Sequence, residues 1–303
     1  PAGAAIAYLL AGSLGESHGW RFCFLLVGLP GLILALPIFR LREPVRGGMD
    51  RAGLQEGGQA DSRHARPSDE HPVDAAQRFS YRRRIAQVFQ NYRELIRSRS
   101  YLFTNLGYAA LTFAIGGMAF WMPRYLETIK KVSFAESNHL TGTIVALSGF
   151  VGTLVGGFAG DFLMKWTRKA YLLLSGLGVL AGVPFALAAI RSPERSVFIP
   201  CFSLAIFFLF LNTGLLDAVI VSVSPPPLRA TAVAANIVII HILGDAPSPF
   251  LIGAVSDATS LQGGILLAVV AMLVSGVLLL WGARWLPGDL DRIAGPAQPA
   301  SAP

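Results

Sequence analysis

Residues 197–223 read VFIPCFSLAIFFLFLNTGLLDAVIVSV, an apolar run whose one charged side chain is Asp217. At ~1.5 Å of rise per residue, a helix of this length exceeds the ~30 Å hydrocarbon core of a bilayer. In lipid, backbone groups must be satisfied within the segment, so the run reads as a membrane helix. Seven more apolar runs flank it: Ala2 to Gly15, Phe22 to Phe39, Leu102 to Leu126, Leu140 to Asp161, Ala170 to Ile190, Ala230 to Val255 and Ile265 to Trp285. The first is too short to cross alone and reads as a helix whose beginning lies upstream. The expected fold is an all-α, polytopic membrane helical bundle with about eight transmembrane helices.

Composition supports the same solvent. The 303 residues are 53% apolar and 14% charged, where a soluble domain runs near 45–50% and about 25%. Mean hydropathy is +0.54, which excludes an ordinary soluble domain. A net charge of +7 in a soluble protein raises nucleic-acid binding; here it reads as charge asymmetry between loops, and no nucleic-acid partner is expected. Cys23 and Cys201 both sit in apolar runs and argue for neither a disulfide framework nor a metal site. The chain opens on Pro1 without a secretory signal pattern, and reads as beginning in mid-protein.

Basic residues set the expected orientation. Of the 25 Lys and Arg residues, 19 fall on one side of the eight-span arrangement and six on the other (Arg21, Arg124, Lys130, Lys131, Arg191 and Arg195). By the positive-inside rule, the long loop at 40–99 and the C-terminus are cytoplasmic. Arginine outnumbers lysine 21 to 4, pointing to a GC-rich bacterial genome and hence to the inner membrane. Within the loop, Gly47 to Ser80 is too poor in apolar residues to offset the entropy of ordering and reads as a flexible linker. From 81 to 99, Ile85, Val88, Phe89, Tyr92 and Ile96 recur at helical spacing among arginines, predicting an amphipathic basic helix on the anionic leaflet. The expected divisions are 1–39, two helices of a first bundle; 40–99, the linker; 100–286, a six-helix bundle; and 287–303, a cytoplasmic tail.

Polarity repeats every third span. The second span has no polar side chain, the fifth, past Tyr171 at its edge, only Ser175, and the eighth only Ser275 before Arg284. The spans between carry Thr104, Asn105, Tyr108 and Thr112; Thr141, Thr143, Ser148 and Thr153; Ser203, Asn212, Thr213 and Asp217; Asn236, His241, Asp245 and Ser248. Those face a protein interior or a wet cavity. A polar, polar, apolar period is what three-helix repeats around a central path produce.

GGFAGDFLMKWTR, Gly156 to Arg168, resembles the cytoplasmic signature loop of the major facilitator superfamily, with Gly157, Asp161, Lys165 and Arg168 in the expected places and Phe162 where the family has a basic residue. Asp161 is expected to accept from Arg168 and a helix N-terminus, latching one face. GYAALTFAIGGMAFWMPRYL, Gly107 to Leu126, RATAVAANIVIIHILGDAPSPFLIGAVSD, Arg229 to Asp257, and GWRFCFLLVGLPGLILALPIFRLREP, Gly19 to Pro44, resemble the seventh, eleventh and sixth helices of the spinster-like branch. The resemblance implies helices five to twelve of a twelve-helix secondary transporter working by alternating access, with an amphiphilic lipid as cargo, such as a lysophospholipid or sphingoid phosphate. A transporter of small organic anions or drugs is the alternative, and a non-transporting receptor a third reading.

His241 and Asp245, four residues apart, share a helix face. Counted from Ala230 at ~1.5 Å per residue, His241 lies ~17 Å deep. It is read either as a neutral imidazole bonded to a neighbouring helix or as a group for proton coupling or headgroup contact. Asp245, beside Pro247 and Pro249, is assigned an outer-gate or hinge role. Asp217 is expected in a gating salt bridge with Arg229 or the basic loop. Thr112, Phe113, Gly116 and Gly117, near midplane, either pack or line the cavity, and Asn212 and Asn236 are further cavity candidates. Gly152, Gly156 and Gly160, with Gly178 and Gly182, are packing surfaces. His241 and Asp245 lack the partners of a catalytic site, so no enzyme and no cofactor are expected. A channel lacks its filter sequence. The expected partners are the bilayer, a lipid or small-molecule substrate and a coupled proton, in a monomer.

Overall fold

The computed structural model describes residues 2–38 and 92–294. Their regular structure is helical throughout: α1 (Ala2–His18), α2 (Trp20–Ile38), α3 (Arg99–Thr128), α4 (Phe134–Met164), α5 (Ala170–Arg191), α6 (Arg195–Phe210), α7 (Thr213–Ser222), a 3-10 turn Pro226–Leu228, α8 (Arg229–Ile240), a π turn His241–Asp245, α9 (Ser248–Ala258), α10 (Leu261–Gly282) and α11 (Leu286–Ala294). Among the described residues, seven segments are long and apolar enough to cross a membrane, and Gly3–Gly15 forms a shorter apolar helix. All eight apolar runs of the sequence are therefore helical. The linker at Gly47 to Ser80, and the basic helix as far as residue 91, lie outside the described residues.

The chain divides into two compact units, 1–23 with 88–303, and 24–87. In the second, the described part of α2 presents apolar side chains all round, among them Leu25, Leu29, Leu32 and Leu36, as a helix surrounded by lipid or other helices does. In the first, α10 packs between α3 and α5, α6 lies against α4 and α5, and α1 packs on α4. Leu111, Ala114, Leu172, Val179, Leu209, Leu216 and Met272 fill the core. An outer belt of Leu147, Phe150, Leu154, Phe158, Leu177 and Val270 stays exposed, as expected where the solvent is hydrocarbon.

Two spans that the sequence presents as continuous are broken. Asn212 donates from Nδ2 to the Phe208 carbonyl at 2.8 Å, and Thr213 from Oγ1 to that of Phe210 at 2.7 Å. These side chains compete for backbone acceptors, and the helix parts into α6 and α7 at residues 211–212. In the seventh span, Pro247 and Pro249 have no N–H to give, and the backbone widens to a π turn closed by Ala246 N donating to the His241 carbonyl at 3.1 Å.

Among the described helices, α3, α4 and α10 are capped by the serines that precede them. Ser98, Ser133 and Ser260 accept from the backbone N–H groups of Tyr101, Glu136 and Gly263. Ser98 also ends the basic segment: residues 92–96 are helical, but the chain is extended at Ser98 before α3 begins. The expected tail after residue 286 is helical as far as Ala294, and Leu286 at its start is buried.

Candidate functional site

The seventh span carries the most polar chemistry at membrane depth, and α3 holds it in place. Thr112 donates from Oγ1 to the Ile240 carbonyl at 3.0 Å, one residue before the π turn. One turn along, a side chain on Gly116 would meet the Asp245 Cβ at 2.6 Å, its Cα at 2.9 Å and the Ser248 Oγ at 3.1 Å. Only glycine admits the π turn this close. Gly117 in the same way faces Ile252. At the far end of the seam, Trp121 donates from Nε1 to the Pro249 carbonyl at 3.0 Å, taking up an acceptor in the proline-rich stretch.

With the backbone pinned, His241 and Asp245 meet. His241 Nδ1 lies 2.9 Å from both carboxylate oxygens of Asp245, with the imidazole 57% exposed. A carboxylate can only accept, so Nδ1 carries the hydrogen. Nε2 is then the nitrogen free to take a proton or a hydrogen bond from a bound molecule.

On from Gly116, which meets Asp245 on one side, is an open cavity of about 740 Å³ that Gly116 and Pro249 help to line and whose wall includes neither His241 nor Asp245. Tyr8, Phe120, Trp121, Phe134 and Pro123 supply apolar wall, Asn138 an amide, and Arg124 and Glu127 the charges. Arg124 Nη1 is 3.3 Å from Glu127 Oε2. The Tyr8 hydroxyl donates to the Ala119 carbonyl, tying α1 to this wall. Sequence reasoning used Arg124 only to orient the helices and missed Tyr8, Trp121 and Glu127. The clue was the run Phe120, Trp121, Met122, Pro123, Arg124, where aromatic rings meet a cation at a helix end.

The other candidates are dispersed. Phe113 belongs to the core. Asn236 is buried and donates to Asn105 Oδ1 at 3.0 Å, so it joins α8 to α3 instead of lining the cavity. Asn212 is buried at the break in its span, and its Oδ1 has no partner. Asp217 and Arg229 are both exposed and form no ion pair with each other; the other expected partner of Asp217, the basic loop, lies outside the described residues as far as 91. In the signature loop, Asp161 accepts from the Tyr171 hydroxyl at 2.7 Å, and Arg168 reaches Asp291 on α11 at 2.6 Å. The expected Asp161–Arg168 latch is thus replaced by two contacts, because α11 brings a carboxylate that a local reading could not place. Lys165 sits over the Phe162 ring, 5.7 Å from its centroid. Gly157 is open on its outer side, with nothing within 4 Å of where a Cβ would lie.

The described helices thus form an all-α, polytopic membrane bundle in which two spans are broken and a polar seam joins α3 to the seventh span. The chain belongs to the Major Facilitator Superfamily, which it matches over residues 1–249. It is 28% identical over 278 residues to "Protein spinster homolog 3" of Danio rerio, covering 86% of this chain and 50% of that one. It is 26% identical over 295 residues to "Probable sphingolipid transporter spinster homolog 3" of Arabidopsis thaliana, covering 96% of this chain and 56% of the relative. The chain thus spans about half the length of these curated relatives. In fold it is similar to the crystal structure of a bacterial homolog to human lysosomal transporter, Spinster, in an inward-facing and unoccupied conformation. The TM-score is 0.66 at 21% identity, over 95% of this chain and 66% of that one.

Proposed function

We propose that the protein moves an amphiphilic lipid across the membrane by alternating access, with a lysophospholipid or sphingoid phosphate as the cargo class. The observation that carries this reading is the open cavity that meets the His241–Asp245 pair through Gly116. Its aromatic and proline wall suits an acyl or sphingoid chain, while Arg124 and Glu127 offer opposite charges to a zwitterionic head. The name of the Arabidopsis relative, a probable sphingolipid transporter, is in keeping with that chemistry. Small organic anions are the weaker fit, because Arg124, the cation among the described wall residues, is balanced by Glu127, whereas a zwitterionic head can use both charges.

In this reading His241 couples a proton to the cycle. Its Nε2 takes the proton when the surface around the π turn is open to water, and Asp245 holds the ring in orientation throughout. Gly116 keeps the turn against α3 while the bundle rocks.

The test is binding and flux with two labelled probes, a lysophospholipid and a short-chain dicarboxylate. The purified protein should retain the lysophospholipid, and proteoliposomes carrying the full twelve-helix protein that the resemblance implies should take it up above background, whereas this chain alone should not. Retention of the dicarboxylate alone overturns the cargo. His241→Ala should remove the dependence of lysophospholipid flux on the proton gradient. An unchanged dependence overturns the coupling role while leaving the cargo standing.

A further inference from the structure

Away from the seam, at the end of the bundle where α3 begins and α11 lies, is a second pocket of about 320 Å³. Glu94, Leu95, Arg97, Val223, Pro225, Pro226, Arg292 and Ile293 line it. Three separate pieces of chain therefore make it: the turn before α3, the proline link between the sixth and seventh spans, and α11.

The position of α11 is set by its two aspartates. Asp289 Oδ2 accepts from Ser98 Oγ at 2.7 Å, Ser100 Oγ at 2.6 Å and Ser100 N at 2.9 Å, so it caps the start of α3 from outside the helix. Asp291 pairs with Arg168 at 2.6 Å. With both carboxylates engaged, Arg292 reaches only the far oxygen of Asp289, at 3.7 Å. Arg97 is exposed and has no carboxylate within 4 Å among the described residues. The pocket is thus flanked by one arginine without a partner and one with a long contact. Glu94 leaves the three ionisable groups of the lining at a net +1, the counterpart of a single phosphodiester. Leu95 and Val223 are buried beneath it.

We infer that this pocket binds the phosphate group of a membrane phospholipid, held by Arg97 and Arg292 with Leu95, Val223 and Ile293 under the glycerol. The location fits, since the ends of spans are where headgroups lie and where arginines meet anionic lipid. The size fits a headgroup: at ~30 Å³ per water, the pocket holds about ten water-sized units, about the heavy-atom count of a glycerophosphate. The apolar floor is what separates a lipid from free phosphate, which has no surface to bury there. The site shares no lining residue with the proposed cargo cavity.

The experiment is native mass spectrometry of the delipidated protein in detergent, titrated with phosphatidylglycerol, with diacylglycerol, and with phosphatidylglycerol in the presence of inorganic phosphate. Phosphatidylglycerol should be retained and diacylglycerol should not. The double variant Arg97→Gln, Arg292→Gln should weaken retention about fivefold, the order expected for two partly exposed charge-assisted contacts. Glu94→Gln should strengthen it, a change of opposite sign that misfolding cannot imitate. Equal retention by the double variant overturns the site, as does equal binding of diacylglycerol. Displacement by inorganic phosphate at the lipid's own concentration overturns the lipid assignment in favour of a free anion.

Discussion

The seam between α3 and the broken seventh span differs in kind from the seam between α5 and α10. The first is stitched by polar side chains: Tyr101 to the Ala232 carbonyl, Asn236 to Asn105, Thr112 to the Ile240 carbonyl and Trp121 to the Pro249 carbonyl. The second is made by shape. A Cβ on Gly176 would stand 3.0 Å from the Gly276 carbonyl, and one on Gly276 would stand 3.1 Å from that of Gly176, so the two backbones touch. Ser175 lies buried with its Oγ unpartnered, and Ser275 donates away from α5, to the Gly107 carbonyl of α3 at 2.7 Å. Helices in lipid lack a hydrophobic drive to associate, so each seam relies on close packing or on hydrogen bonds. Packing alone permits small slides. Directed hydrogen bonds hold a register, and the His241–Asp245 pair lies where register is held.

The sharpest way to break this contrast is Gly116→Leu. The new side chain would collide with the Asp245 backbone, where no rotamer relieves it, and overpacking of this kind costs about 3 kcal/mol. The loss should appear in unfolding by SDS titration. Gly157→Leu, where the Cβ meets open space, should leave stability unchanged.

Next in size is Asn105→Leu. It leaves the buried Asn236 amide without its acceptor, for a loss of about 1–2 kcal/mol. The double variant Asn105→Leu, Asn236→Leu should recover most of it, because no buried polar group is then orphaned. A double variant no more stable than the single one would mean that the pair holds more than itself.

Ser275→Ala removes one bond to a carbonyl that keeps its helical partner, and should cost about 0.5–1 kcal/mol in the same titration. The smallest effect belongs to Arg168 and Asp291, an exposed pair. A double-mutant cycle with Arg168→Gln and Asp291→Asn should give a coupling of about 0.5 kcal/mol or less.

How much could be read beforehand follows the same division. Apolar runs register burial in lipid directly, so all eight helices were legible. His241 and Asp245 could be placed on one face from their spacing of four. The break at Asn212 and the π turn at His241 could not be located, since each depends on which carbonyls a side chain reaches. Arg168 shows the limit best. Its nearest carboxylate in sequence is Asp161, yet it pairs with Asp291, which is far along the chain and arrives only because Asp289 docks α11 on the serines that open α3.

The sequence by itself determined the solvent, the apolar runs that become helices and the residues able to carry charge at depth, because hydropathy and the 1.5 Å rise are local properties of a helix. Tertiary structure alone decided which polar groups meet. Asn236 became a buried strut, Asp217 stayed open, and Trp121, Arg124 and Glu127 became the wall of a cavity. The physical reason is that a polar side chain in a membrane helix must find a partner, and whether that partner lies across a seam depends on how closely two backbones can approach. In this protein Gly116 sets that distance for the pair His241 and Asp245.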